Sequence, residues 1–134
     1  MSDDDTLDLS NIDERNALIS ELQQQGIKHT REKILRIAKL PNGKIIFLEV
    51  GTTGPKGSGL LHILENHQLE FAQKAISPDD LPDAIMMALT HGNIVGYQQP
   101  DRPIYQITLH GKIQLIAITV SDNGYIVCAN PRSV

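Results

Sequence analysis

The chain concentrates its reactive side chains in one stretch, GTTGPKGSGLLHILENH, Gly51 to His67, where Lys56 sits among four glycines and an apolar run then carries His62 and His67. An imidazole, with an unperturbed pKa of about 6.5, takes and gives protons near neutrality, which suits general acid and base work. A glycine-rich approach to a helix start offers unpaired amides and the positive end of the helix dipole to an anion, with Lys56 close by. The alternative for the loop is a flexible connector whose glycines only make turns. For each histidine it is a capping or core-edge role.

Familiar nucleotide signatures are excluded. A P-loop needs Gly-Lys-Ser/Thr, whereas Lys56 is followed by Gly57, and Gly57-x-Gly59 is not completed because position 62 is histidine. On one helix, His62 and His67 would point roughly 140° apart, which disfavours a shared metal. A helix break near Asn66 would let both rings border one cleft. His29, His91 and His110 fall in turns or at a helix end and are assigned no role. No serine lies in a GxSxG elbow, and Cys128 in YIVCAN reads as a small buried hydrophobe. Asp79, Asp80 and Asp83 are explained by a helix N-terminus, and Met86-Met87 by core spacing.

The elements that must position these groups follow from patterning. A length of 134 residues with 40% hydrophobic and 21% charged residues fits one globular domain. Residues 1–9 are acidic and are expected to be a disordered tail, leaving residues 10–134 as a single domain. Ser10-Asn11-Ile12-Asp13-Glu14 offers overlapping capping boxes for a helix that lines up Ile12, Leu18, Ile19 and Leu22 and stops at Gly26. KILRIAKL, then Pro41-Asn42-Gly43, then KIIFLEV reads as a hairpin. Leu60, Leu61, Ile63 and Leu64 define a buried helix. Ser77-Pro78-Asp79-Asp80 starts another, with Leu81, Ile85, Ala88 and Leu89 inward and Gly92 at its end. IVGYQQ, IYQITL, KIQLIAITV and YIVCAN, separated by turn residues, form a four-stranded antiparallel meander. The expected class is α+β, with N-terminal helices packed on a twisted antiparallel β-sheet and the meander at the C-terminus.

The charge is divided unevenly. Residues 1–25 hold seven acidic side chains and one basic, whereas the remainder holds eleven basic and nine acidic. The body is therefore mildly cationic, which permits a phosphate ligand but does not match a basic duplex-DNA reader. No apolar run approaches the ~20 residues of a membrane span. The acidic start lacks signal-peptide blocks, and a single cysteine cannot build a disulfide framework, so the expected compartment is the cytoplasm.

In sequence order, KLPNGKIIFLEVG, SGLLHILENH, a helix ending in HGNIV and strands closing with DNGYIVCANP resemble small metal-independent ribonuclease domains of the barnase/EndoU/colicin/RelE-like superfamily. Phage-borne and polymorphic-toxin versions show a similar plan, Gly-Leu-x-His-Ile-x-x-x-His followed by a terminal strand ending in an aromatic and proline. The likeness spans about residues 33–132. It implies RNA cleavage by attack of the ribose 2′-hydroxyl on its own phosphate, without cofactor or metal. His62 is then the preferred acid/base and His67 the second, with Lys56, Ser58, Asn130, Arg132 and the loop amides as substrate contacts and Tyr125 as a stacking platform. A toxin of this kind implies RNA as a partner and a cognate immunity or antitoxin protein. Where such domains often carry a hydroxyl residue and an aromatic on the last strand, this chain has Cys128-Ala129-Asn130. The competing expectation is a catalytically silent domain of the same fold that binds protein or RNA.

Overall fold

The computed structural model describes the backbone of residues 4–133 and the side chains of residues 12–133. In chain order it contains α1 (Asp4–Gln24), a 3₁₀ turn (Arg31–Lys33), β1 (Ile34–Lys39), β2 (Ile45–Glu49), α2 (Gly59–Gln73), α3 (Leu81–His91), β3 (Asn93–Gln99), β4 (Arg102–Leu109), β5 (Lys112–Val120) and β6 (Ile126–Arg132). This is an α+β fold: β1 and β2 form a hairpin, and β3-β4-β5-β6 form an antiparallel meander in that order.

Local chemistry explains the boundaries. Gly26, at φ 70°, ends α1, and Ile27 N–H donates to the Leu22 carbonyl at 3.0 Å. These are the left-handed residue and reaching bond of a glycine C-cap. The hairpin turns at Pro41-Asn42-Gly43, where Lys44 N–H donates to Asn42 Oδ1 at 2.9 Å. The first element departs from expectation. Helix α1 already includes residues 4–9, for which the acidic composition predicts a disordered tail; residues 1–3 of that tail lie outside the described residues. Ser10 therefore sits inside the helix rather than capping it. Asp4, Asp5 and Asp8 fall in its first turns, positions where the helix dipole favours acidic residues.

Strand β2 is the wall between two cores. Alternate side chains of a strand point to opposite faces. Ile46 and Leu48 accordingly enter the main core with Ile63, Phe71, Leu81, Ile85, Ile116, Ile118, Ile126 and Ala129. Ile45 and Phe47 enter a second core with Ile19, Leu22 and Ile34. Helix α1 packs on β1, α2 principally on β6, and α3 on β1, β4 and β5. The hairpin joins the meander where Phe47 N–H donates to the Gly124 carbonyl at 2.9 Å. Gly124 has φ 95°, and a Cβ there would lie 1.9 Å from the Ile45 carbonyl oxygen, so only glycine permits this approach.

Candidate functional site

The glycine segment is a closed turn. Thr52 and Ser58 exchange backbone hydrogen bonds of 2.9 and 3.1 Å, Gly57 N–H donates to the Gly54 carbonyl at 2.9 Å, and Gly54 N–H donates to Glu65 Oε1 at 2.9 Å. Four amides that sequence reasoning offered to a phosphate are thus satisfied internally. Leu61 N–H, in the first turn of α2, donates to the Val50 carbonyl at 2.8 Å. The neck of the turn explains its glycines: a Cβ on Gly59 (φ 78°) would come within 2.8 Å of Gly51 Cα and 2.9 Å of the Glu49 carbonyl oxygen. Lys56 is exposed at the tip and forms no ion pair among the described residues.

Ser58 precedes α2, but its hydroxyl does not cap the helix. It bonds Tyr125 Oη at 2.8 Å instead. Tyr125 also sets its ring edge-on against Phe47, with centroids 5.7 Å apart and planes at 75°. Two residues expected in the site, Ser58 and Tyr125, are therefore brought together, and the tyrosine is held at both ends.

His62 and His67 lie on α2, which runs unbroken through Asn66. The break that would have aimed both rings into one cleft is absent, and a regular helix sends them roughly 140° apart. Each ring is held through Nδ1. Asn66 Nδ2 donates to the His62 carbonyl at 2.9 Å, which orients the amide, and also to His62 Nδ1 at 3.2 Å. Nδ1 of neutral His62 is then an acceptor, and Nε2 carries the hydrogen. His67 shows the reverse: its Nδ1–H donates to Glu70 Oε1 at 2.7 Å, leaving Nε2 as the acceptor of the neutral ring. Both rings are partly exposed, and neither Nε2 has a hydrogen-bond partner among the described residues.

Asn130 and Arg132 are brought together on β6. Gln98 Oε1 accepts from Asn130 Nδ2 at 2.8 Å and from Arg132 at 3.2 Å. Arg102 joins them, donating to Thr119 Oγ1 at 2.7 Å and to Asn130 Oδ1 at 3.1 Å. In the register Asn130 opposes Ala117, whereas Ala129 and Ile118, their neighbours, enter the main core. The network therefore lies on the opposite face of the sheet. Asn130 is buried, Arg102 half-buried and Arg132 exposed, so two guanidinium groups converge on one polar patch.

Arg102, Gln98 and Thr119 escaped sequence reasoning because PDRP reads as a turn, whereas β4 begins at Arg102 itself. Alternation puts Arg102 on the same face of β4 as Ile104, but the register that sets Ile104 opposite Ala117, and Ala117 opposite Asn130, is a property of the folded sheet.

Among the described residues, no group of three or more His, Cys, Asp or Glu side chains is disposed to hold a metal ion, and no helix is long and apolar enough to cross a membrane. Comparison with protein-family models found no match, and comparison with curated proteins found none either.

Proposed function

We propose that the chain is a metal-independent endoribonuclease-like domain that cleaves RNA. The 2′-hydroxyl oxygen bonds to the adjacent phosphorus, the bond from phosphorus to the 5′-oxygen breaks, one group accepts the hydroxyl proton, and another protonates the departing oxygen. The observation that carries this reading is the convergence of Arg102 and Arg132 through Gln98 and Asn130, a cationic patch on the face of the sheet opposite the main core into which histidine-bearing α2 packs. Guanidinium groups suit phosphate, so this patch holds the RNA backbone while α2 lies on the other face of the sheet. His62 is the acid/base residue and His67 the second; because their rings diverge, only one acts on a given phosphodiester, and water carries the other proton. In its neutral form His62 offers Nε2–H to a phosphate oxygen. Delivering a proton requires the imidazolium and displaces Asn66 from Nδ1. Lys56 adds charge at the loop tip. RNA is the substrate and, for a toxin, a cognate immunity or antitoxin protein is the partner; both belong to the cytoplasm.

The test is incubation of purified protein with total RNA in EDTA. Loss of His62 as His62→Ala should slow cleavage by roughly 10²- to 10⁴-fold, the usual contribution of a general acid or base. Undiminished cleavage by His62→Ala overturns its assignment. A second reading, a catalytically silent RNA- or protein-binding module, is favoured by the divergence of the two rings. It is supported if the wild type retains RNA without cutting it.

A further inference from the structure

The meander ends in an open edge at β3. Strand β4 is regular, and the tight turns that close at Gln99–Arg102 and Leu109–Lys112 fix which way its backbone groups point: Arg102, Ile104 and Gln106 face β3, whereas Pro103, Tyr105 and Ile107 face β5. Asn93, Gly96 and Gln99 therefore bond inward, and Ile94 and Tyr97, opposite Tyr105 and Pro103, turn their N–H and C=O groups outward. Val95 and Gln98 are the extra residues of two bulges. No loop or cap backbone group bonds Ile94 or Tyr97. Their side chains share one face and are 50% and 62% exposed.

Free backbone groups along an edge are a template for another strand, and proteins ordinarily blunt such edges with charge. The hairpin edge, β1, is blunted in this way: its Arg36 and Lys39 are tied to Asp83 and Glu21 at 2.8 and 2.9 Å. Strand β3, NIVGYQQ, has no charged residue and no proline. Its bulges decide the partner, because they set the outward groups three residues apart instead of the usual two. A regular strand meets Ile94 or Tyr97 but not both. On β1, Leu40 N–H donates to the Lys44 carbonyl at 2.8 Å, so Ile37 and Lys39, only two apart, are the residues that face out. The β3 of a second copy, run antiparallel, has the matching offset: Ile94 meets the partner's Tyr97 while Tyr97 meets the partner's Ile94.

We propose that two copies of this chain pair through β3 about a twofold axis between Val95 and Gly96, joining their meanders into one eight-stranded antiparallel sheet. At each Ile94–Tyr97 pair the two residues exchange backbone hydrogen bonds, and the aliphatic side chain lies against the aromatic one, a favourable cross-strand combination. The chain carries a net charge of −4, yet this register apposes no like charges on the strands and sets the exposed His91 beside the partner's exposed Pro100-Asp101 turn. The two Gln98 networks fall on one face of the joined sheet, roughly 15 Å apart along the strands, beyond the ~8 Å range of exposed charges at physiological salt. Under the ribonuclease reading, each copy thereby adds its Arg102–Arg132 patch to one continuous RNA-holding face; the pairing itself does not rest on that reading.

The test is sedimentation equilibrium of the purified full chain from micromolar to millimolar concentration, where a concentration-dependent dimer is expected. Ile94→Lys and Tyr97→Glu alter exposed side chains, with far-ultraviolet circular dichroism as the check on folding, and each should weaken the dimer roughly 10-fold or more because the change falls at both pairs. Ile94→Lys combined with Tyr97→Glu sets opposite charges across each pair and should recover the dimer, whereas Ile94→Lys combined with Tyr97→Lys should not. A monomer throughout, a dimer indifferent to either single change, a charge-swapped double variant no tighter than the singles, or assembly that grows beyond two copies overturns the pairing. The two proposals fail separately: a β3 dimer that cuts no RNA keeps the pairing and sinks the ribonuclease reading, and a monomer that cuts RNA does the reverse.

Discussion

At the scale of residues, the best-determined polar group is Asn130. It is 7% exposed, accepts from Arg102 and donates to Gln98, so truncation removes two hydrogen bonds at once, while Arg102 keeps Thr119 and Gln98 keeps Arg132. Asn130→Ala is expected to cost about 1–3 kcal/mol, the net worth of two hydrogen bonds at about 0.5–1.5 kcal/mol each, as measured by urea denaturation. If the network also holds RNA, the same variant weakens retention of RNA on a filter at low salt. The Ser58–Tyr125 pair makes a milder case. Removing both hydroxyls as Ser58→Ala with Tyr125→Phe should show a coupling of about 1 kcal/mol in a double-mutant cycle, and additive single effects would mean that the 2.8 Å contact contributes nothing.

At the scale of elements, the turn before α2 is built by close backbone approach. Gly59 and Gly54 both have positive φ, 78° and 95°, but only at Gly59 would an added methyl group meet backbone atoms within 3 Å, whereas Gly54 faces open space. Gly54→Ala should therefore cost only backbone strain, ~1–2 kcal/mol. Gly59→Ala should cost clearly more, because the neck must open as well. Equal losses in thermal unfolding would refute the steric account. The helix that follows was legible from Leu60, Ile63 and Leu64, since apolar spacing announces an amphipathic helix. Its continuity through Asn66 was not, because asparagine is tolerated in a helix interior when its side chain bonds back to the preceding turn, as it does to the His62 carbonyl.

At the scale of the molecule, β2 couples two cores through residues that alternate between them. Phe47 is fully buried in the second core and touches Tyr125 at the edge of the meander. Phe47→Ala should cost about 3–5 kcal/mol, as large-to-small changes of buried aromatics do, with a single transition reported by both near- and far-ultraviolet circular dichroism. Alkaline stability has its own signature. Burial, with the neighbouring Tyr97 adding to it, raises the Tyr105 phenol above 10.0. The folded state then holds its proton where the unfolded chain releases it. The stabilisation is fully present below pH 10.0 and is lost as pH climbs through the raised value. Tyr105→Phe should flatten that alkaline decline in a series of denaturation curves.

The chain's local patterns by themselves determined the α+β class, the hairpin at Pro41-Asn42-Gly43 and the four strands of the meander, because alternation, turn residues and helix stops act over a few neighbouring residues. Only the tertiary structure decided that the loop amides are consumed within the turn, that His62 and His67 diverge, and that Arg102 joins Asn130 and Arg132. It alone also turned Ile94 and Tyr97 to the open edge of β3. Those relations join residues up to dozens of positions apart, and they depend on strand register and helix continuity, which no local spacing encodes.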